Sequence, residues 1–435
     1  MNMFMLFMIP VSLMKLGGVF QLSIILLMMI CMNSNSMVFM SMISYFMGLD
    51  FLSYGLIMLT FFIISLMVMS FNFNNMKNKD LFLLSNLLLC FCLYMIFMSM
   101  NLLIMYIFFE FSLIPLIIMV FGWGYQPERL MSGLYLFFYT LFASLPLLFL
   151  MIIIYIKNGN LFIDNNLFMS NMLIINISMI LAFMVKLPMF MLHFWLPSAH
   201  VQAPVFGSMI LAGLLLKIGG YGITRFMFMM KSLFFNYTYI WYSLSILGSM
   251  MVSFICLVQS DVKSMIAYSS VAHMGLCITS SMTMTNWGLF GIYMLMLSHG
   301  LCSSAMFCLI SISYERYSSR SFFINSGLNN IMPSMSMFWF LLCAFNMSCP
   351  PSMNFISEMF IISSMINYWS NSIILFFFIS FLSACFSYYI FSFSQHGNFH
   401  YLYCTSLGYS REYLLLTMHI IPIVTMIMML NLFFY

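Results

Sequence analysis

Glu110, Lys186, Lys217 and Glu358 each lie inside, or close to the middle of, a long apolar run. Ionisable groups in such surroundings read as functional by default. Each would cost about 2.5 to 3.5 kcal/mol at the centre of a bilayer, and the four together roughly 10 kcal/mol, unless they pair or meet water. Pairing Glu110 with Lys186 is the cheapest arrangement for the first two. Burial disfavours a charged lysine and a neighbouring carboxylate favours it, so a buried Lys whose partner can move is switchable near neutral pH. That is the chemistry of a proton relay. His273 and His299 fall about ten and thirteen residues into apolar runs of their own, which adds two titratable groups at a similar depth. The plainer alternatives are that Glu110 and Lys186 lock helices together, as buried ion pairs can, and that each His is a satisfied core group. Two lysines with two carboxylates weigh against the lock.

These six residues need a scaffold, and the composition says which. The 435-residue chain has thirteen Lys and Arg, nine Asp and Glu, and 64% apolar or aromatic residues. A soluble domain carries about a quarter charged residues, so the solvent for most of this chain is lipid. The chain reads as all-α and polytopic. A β-barrel is excluded because the apolar runs are continuous and do not alternate with period two. The net charge of +4 is small and scattered, with no basic run beyond Lys77-Asn78-Lys79, so no nucleic acid is expected as a partner. The first fourteen residues have neither a basic n-region nor a small-residue cleavage site, nor the Arg-rich amphipathic helix of a transit peptide, so the chain is expected to insert where it is made. The 53 Met are spread over every segment, which fits a biased code better than a Met-lined site.

Runs bounded by Asn, Gly, Pro or charge predict fourteen transmembrane helices: 2–14, 17–32, 51–70, 81–99, 101–123, 131–156, 171–196, 204–229, 238–258, 263–284, 286–311, 334–369, 371–393 and 415–434. At 1.5 Å per residue, Glu110 lies about 14 Å into the fifth and Lys217 about 20 Å into the eighth. Two spans should be broken: the seventh at Pro188, two residues after Lys186, and the twelfth at Pro350-Pro351, before Glu358, because proline frees backbone groups and kinks a helix. These breaks are five spans apart, and an odd offset reverses orientation. Spans four to eight and nine to thirteen therefore read as two inverted five-helix repeats. The implied organisation is 1–75 amino-terminal helices, 76–232 first repeat, 233–395 second repeat and 396–435 carboxy-terminal helix.

An even span count puts both termini on one side. The opposite side then holds Lys15, Lys77, Lys79, Arg129, Lys263, Arg316, Arg320 and Arg411, and the terminal side Lys157, Arg225 and Lys231. Positive loops mark the inner side, so the termini are expected to face outward. Lys263, beside Asp261 at a span end, reads as a surface or entry residue.

Other chemistries lack their ligands. The cysteines lie mostly within apolar runs, and neither Cys90-x-Cys92 nor Cys302-x5-Cys308 has zinc or Fe-S spacing, so they read as small buried hydrophobes and imply no metal or disulfide. His193 and His200 lack the i, i+4 spacing of a helical zinc site. No span carries the paired His that would clamp stacked haems, and no GxGxxG follows a strand.

Four stretches resemble the antiporter-like subunits of proton-pumping NADH:quinone oxidoreductase (complex I). They are Met184-Val-Lys-Leu-Pro through His193-Phe-Trp-Leu-Pro-Ser-Ala-His-Val-Gln-Ala-Pro to Leu-Leu-Leu-Lys217-Ile-Gly-Gly-Tyr-Gly; Asp261-Val-Lys-Ser-Met-Ile-Ala-Tyr-Ser-Ser-Val-Ala-His273-Met-Gly; Pro350-Pro-Ser-Met-Asn-Phe-Ile-Ser-Glu358; and Trp123-Gly-Tyr-Gln-Pro-Glu-Arg129. The likeness spans most of 80–400, whereas the first 75 residues and the last 40 match in hydropathy only. It implies fourteen helices with two inverted five-helix repeats, and one proton channel built from Glu110, Lys186, Lys217, His273, His299 and Glu358. Glu rather than Lys at 358 fits the mitochondrially encoded subunit-four branch. Relatives commonly carry Lys and Glu where Ser198 and Gln202 stand here, so a loop salt bridge is expected to be lost.

What the resemblance implies is a redox-silent pump module of respiratory NADH:ubiquinone oxidoreductase in the mitochondrial inner membrane, with both termini toward the intermembrane space. It would bind no cofactor; NADH, flavin, Fe-S clusters and ubiquinone would sit in other subunits. Its partners would be the other membrane-arm subunits, including neighbouring antiporter-like ones, and phospholipids such as cardiolipin. A stand-alone sodium/proton antiporter subunit of the related multisubunit exchangers is the alternative. A quinone or haem enzyme lacks ligands.

Overall fold

A chain dissolved in lipid must satisfy its backbone hydrogen bonds within itself, which an apolar segment does by coiling into a helix. The computed structural model describes residues 2–14, 16–33, 42–44, 46–71, 78–163, 172–398, 406–428 and 430; Lys15 and Lys77, counted above as loop cations, lie outside them. The chain opens with α1 (Asn2–Leu13) and α2 (Gly17–Met32), followed by a short antiparallel ribbon of β1 (Met42–Ser44) and β2 (Met47–Leu49). That ribbon is a small departure from the all-α expectation. Then come α3 (Phe51–Ser70), α4 (Lys79–Met98), α5 (Leu102–Phe111), α6 (Leu113–Trp123), α7 (Arg129–Asn158), α8 (Leu173–Lys186), α9 (Trp195–Gln202) and α10 (Val205–Ile210). A π-helical turn, Leu211–Leu215, leads into α11 (Leu216–Met229). The rest is α12 (Lys231–Val258), α13 (Val262–Met282), α14 (Asn286–Tyr317), α15 (Leu328–Ile331), α16 (Pro333–Asn346), α17 (Met353–Tyr368), α18 (Ser372–Gln395) and α19 (Ser410–Met428).

Among the described residues, nine helices are long and apolar enough to cross a membrane, with Leu102–Trp123 and Val205–Met229 each counted as one. The burial of these helices differs sharply. In Val205–Met229, which holds Lys217, and Asn286–Tyr317, which holds His299, 100% and 94% of the most apolar stretch is buried, against 39% in α7 and 28% in α19. Lys217 and His299 thus sit on the most enclosed of these spans, whereas the span of Glu110, Leu102–Trp123, is 50% buried. On α7, Phe138, Phe142, Phe149 and Ile156 are exposed, an apolar surface suited to an apolar solvent.

Both expected breaks are present. α8 ends at Lys186, residues 187–194 run as turns, and helix resumes at Trp195. α16 ends at Asn346 and α17 begins at Met353, where the Ser352 hydroxyl accepts a hydrogen bond from Phe355 N. Asn354 Nδ2 donates to Phe345 O at 2.7 Å across this break, capturing a carbonyl the interrupted helix leaves over. Within helices, serine hydroxyls bond back to the preceding turn, as from Ser270 to Ala267 O and from Ser298 to Met294 O. Such back-bonding makes a serine-rich stretch compatible with an apolar setting.

The chain divides into two compact units. The first comprises Met1–Lys186, Gln202–Ile210 and Lys217–Tyr237; in it Phe71 stacks on Phe82 at 3.9 Å, and Phe206 meets Phe82 edge-on at 4.8 Å, tying together α3, α4 and α10. The second comprises Leu187–Val201, Leu211–Leu216 and Thr238–Tyr435. In it Arg316 of α14 forks onto Glu412 of α19 at 2.7 and 3.2 Å, a bidentate geometry that anchors the carboxy-terminal helix.

Candidate functional site

In the first unit, Glu110 occupies the last turn of α5, two residues before Ser112, where α5 gives way to α6. Lys186 is the last residue of α8 and is 1% exposed. The two act on each other electrostatically, but no direct hydrogen bond joins them: Lys186 Nζ and both Glu110 oxygens are buried without a partner of good geometry among the described residues. Ser144 of α7 also faces Glu110. The expected pairing is therefore a correction in degree, since the charges are neighbours rather than a contact ion pair. Lys186 Nζ instead lies over the ring of Phe109, 4.5 Å from its centroid, where the negative ring face partly offsets lost hydration. Lys217 is fully buried on the first turn of α11, directly after the π turn Leu211–Leu215. Such bulges add a residue to a helical turn and are frequent at functional sites. Nothing in the apolar run 211–215 announces it.

The second unit brings its three candidates together. Glu358 lies on α17, His273 on α13 and His299 on α14, all buried. The Ser348 hydroxyl donates to Glu358 Oε1 at 2.6 Å, and His273 Nδ1 stands 3.9 Å from the same oxygen. The rings of His273 and His299 are 5.5 Å apart between centroids. Ser348 sits in the break between α16 and α17 with φ of +59°, a left-handed conformation that a non-glycine residue keeps only when its surroundings hold it. A hydroxyl, a carboxyl and two imidazoles, three of them titratable, thus lie in sequence beside a broken helix.

Several residues differ from expectation. Arg225, counted as a loop cation, is 2% exposed inside α11 and paired with Asp50 at 2.5 Å. Lys263 is buried rather than at the surface, and its Nζ donates to Val201 O at 3.5 Å. Arg225 was missed although it carries the same signal as Lys217, a charge in an apolar run. Its place near the run's end made it look like a loop residue. Ser348 and Phe109 had no signal. Gln202 Nε2 donates to Glu128 Oε2 at 3.1 Å, so the position thought to lose a salt bridge keeps a polar tie. His200 stacks flat on Phe307, with centroids 4.6 Å apart, and His193 stacks on Phe194 at 4.7 Å. Among the described residues no three His, Cys, Asp or Glu are grouped to hold a metal.

This set of broken, charge-bearing membrane helices has a recognised class. Residues 99–387 match the family described as NADH:quinone oxidoreductase/Mrp antiporter, TM, and the fold agrees with a chain of respiratory complex I from Thermus thermophilus, at a TM-score of 0.86 and 20% identity, over 97% of this chain and 93% of that one. It also agrees with a chain of the Mrp complex from Dietzia at a TM-score of 0.82 and 14% identity, over 96% of this chain and 49% of that one. Residues 1–96 match the family described as NADH-ubiquinone oxidoreductase chain 4, amino terminus, so the likeness extends into the segment that had seemed to match in hydropathy only. Curated relatives named NADH-ubiquinone oxidoreductase chain 4 include those of Ceratitis capitata, 49% identical over 92% of this chain and 90% of that protein, and Aedes aegypti, 48% identical over 89% and 88%. The chain belongs to the NADH-ubiquinone oxidoreductase chain 4 family, a subunit of respiratory complex I.

Proposed function

We propose that this subunit translocates protons in the membrane arm of complex I, coupled to electron transfer in other subunits, through a relay of Glu110, Lys186, Lys217, His273, His299 and Glu358. The observation that carries the reading is the second unit's cluster, in which His273 lies 5.5 Å from His299 and 3.9 Å from Glu358, separations that one water or a small ring rotation spans. Glu110 and Lys186 supply a charge pair whose separation can change, Lys217 receives the proton, the two histidines hand it on, and Glu358 releases it. In the same reading the chain has fourteen spans with two inverted five-helix repeats, spans four to eight and nine to thirteen. Both termini face the intermembrane space of the mitochondrial inner membrane. Neighbouring antiporter-like subunits and phospholipids such as cardiolipin are its partners, and NADH, flavin, Fe-S clusters and ubiquinone are bound elsewhere in the complex. The stand-alone exchanger reading has less support, because the relatives of highest identity above carry the chain 4 name.

The test is proton uptake per NADH oxidised in sealed vesicles. Glu358→Gln keeps the packing but cannot hold a transferable proton, so it should abolish this subunit's contribution while the complex assembles; Glu358→Asp, one methylene shorter, should keep part of it. Equal yields from the Gln variant and the wild type would take Glu358 off the path.

A further inference from the structure

Lys217, Tyr221 and Arg225 follow one another at i, i+4 and i+8 on α11. They therefore lie within about 80° of one helix face and extend about 12 Å along its axis. All three are buried, at 0%, 1% and 2% exposure. The stripe ends one turn before the end of α11, where Arg225 Nη1 meets Asp50 Oδ2 at 2.5 Å with both side chains 3% exposed. Asp50 is the N-cap of α3 and closes a capping box with Ser53. The pair therefore stands where one span ends and another begins, about one turn from the surface.

The groups along the stripe are fixed. The Tyr221 hydroxyl donates to Phe97 O at 2.9 Å, and the Arg225 guanidinium lies over the Tyr221 ring at 4.8 Å. A file of polar groups leading from a buried lysine to the edge of a membrane is, on its face, a second way out for a proton. Arginine makes it the opposite, because guanidinium keeps its proton at any physiological pH and cannot act as a carrier. A permanent cation set in a narrow, enclosed path raises the barrier to any further positive charge, as in pores that exclude protons with an arginine.

We infer that Arg225, held by Asp50 and Tyr221, is an electrostatic plug that closes the polar stripe of α11 and keeps a proton on Lys217 from leaving through the first unit. The inference rests on the reading of Lys217 as a relay member, and it explains why a buried charge pair stands beside the relay without belonging to it. Arg225 is a positioning and sealing residue; no proton passes through it.

The test uses the assembled complex in sealed liposomes without NADH, with the decay of an imposed pH gradient as the readout, so it is independent of pumping. Removing one partner of a buried pair strands the other charge, whereas replacing both is tolerated far better. The informative variant is therefore Arg225→Gln with Asp50→Asn. It should assemble and let the gradient decay roughly tenfold faster, a barrier lowered by about 1.4 kcal/mol. Adding Lys217→Met should return the decay to the wild-type rate, because the leak runs through that lysine. Arg225→Lys keeps a cation and should stay within about twofold of wild type. A tight gradient in the Gln/Asn protein, a leak that survives Lys217→Met, or an equal leak in Arg225→Lys would each overturn the plug; the last would assign the seal to packing rather than charge. Failure of the relay reading would show separately, as normal pumping by Lys186→Met.

Discussion

The two units solve one problem, keeping ionisable groups in an apolar setting, in different ways. In the first, Glu110 and Lys186 sense each other's charge without a direct hydrogen bond, and the lysine rests on an aromatic ring. In the second, Ser348, Glu358, His273 and His299 lie in sequence at hydrogen-bond or near-contact range. A pair held apart can change its coupling when a helix end shifts, which suits a switch. A contiguous file suits transfer. In the proposed relay, the broken α8 would then control proton movement and the break before α17 would conduct it.

That contrast can be broken at its strongest point first. Lys186→Met keeps length and packing while removing the charge, and should remove this subunit's whole contribution to protons translocated per NADH, as large a fall as that expected of Glu358→Gln, in a complex that assembles normally. Normal pumping in that protein would end the relay reading. Glu110→Gln comes next, since it leaves the lysine without its electrostatic partner; a several-fold fall in pumping with intact assembly is expected, whereas a fall in assembly alone would make the pair structural. Ser348→Ala removes a hydrogen bond to a carboxyl group, worth about 1.5 to 3 kcal/mol when the acceptor is charged. It should slow pumping more than Phe109→Leu, and an unchanged rate would mean that Glu358 is positioned by α17 alone. Phe109→Leu should have the smallest effect, because a ring beneath a buried cation contributes about 0.5 to 2 kcal/mol; comparing pumping at equal NADH oxidation would detect it.

Much of this was legible in the chain because lipid punishes the wrong residue so heavily. Glu110, Lys186, Lys217 and Glu358 stand out simply as charges in apolar runs, and Pro188 and Pro350-Pro351 mark breaks that the helices show at 187–194 and 347–352. What was not legible depends on distance rather than type. Whether Glu110 touches Lys186 is decided by α5 and α8 packing, which no local pattern encodes. Ser348 reads like any other serine until the break turns its hydroxyl toward Glu358. Arg225 and Lys263 were misassigned for one reason: near the end of a span, hydropathy cannot tell a side chain reaching for water from one folded inward onto Asp50 or Val201 O.

The π turn at Leu211–Leu215 also bears on how this protein can vary. It holds one residue more than an α-helical turn would need, so it resides in a count and not in any side chain. Exchanging its leucines for other apolar residues leaves the count intact. Deleting a single residue here would let the segment relax to regular helix with Lys217, Tyr221 and Arg225 close to their present orientation, because the turn already absorbs the extra residue. The same deletion between Lys217 and Tyr221, in regular helix with nothing to absorb it, would rotate Tyr221 and Arg225 by about 100° relative to Lys217. The π turn is thus the place in this helix where a change of length is best tolerated.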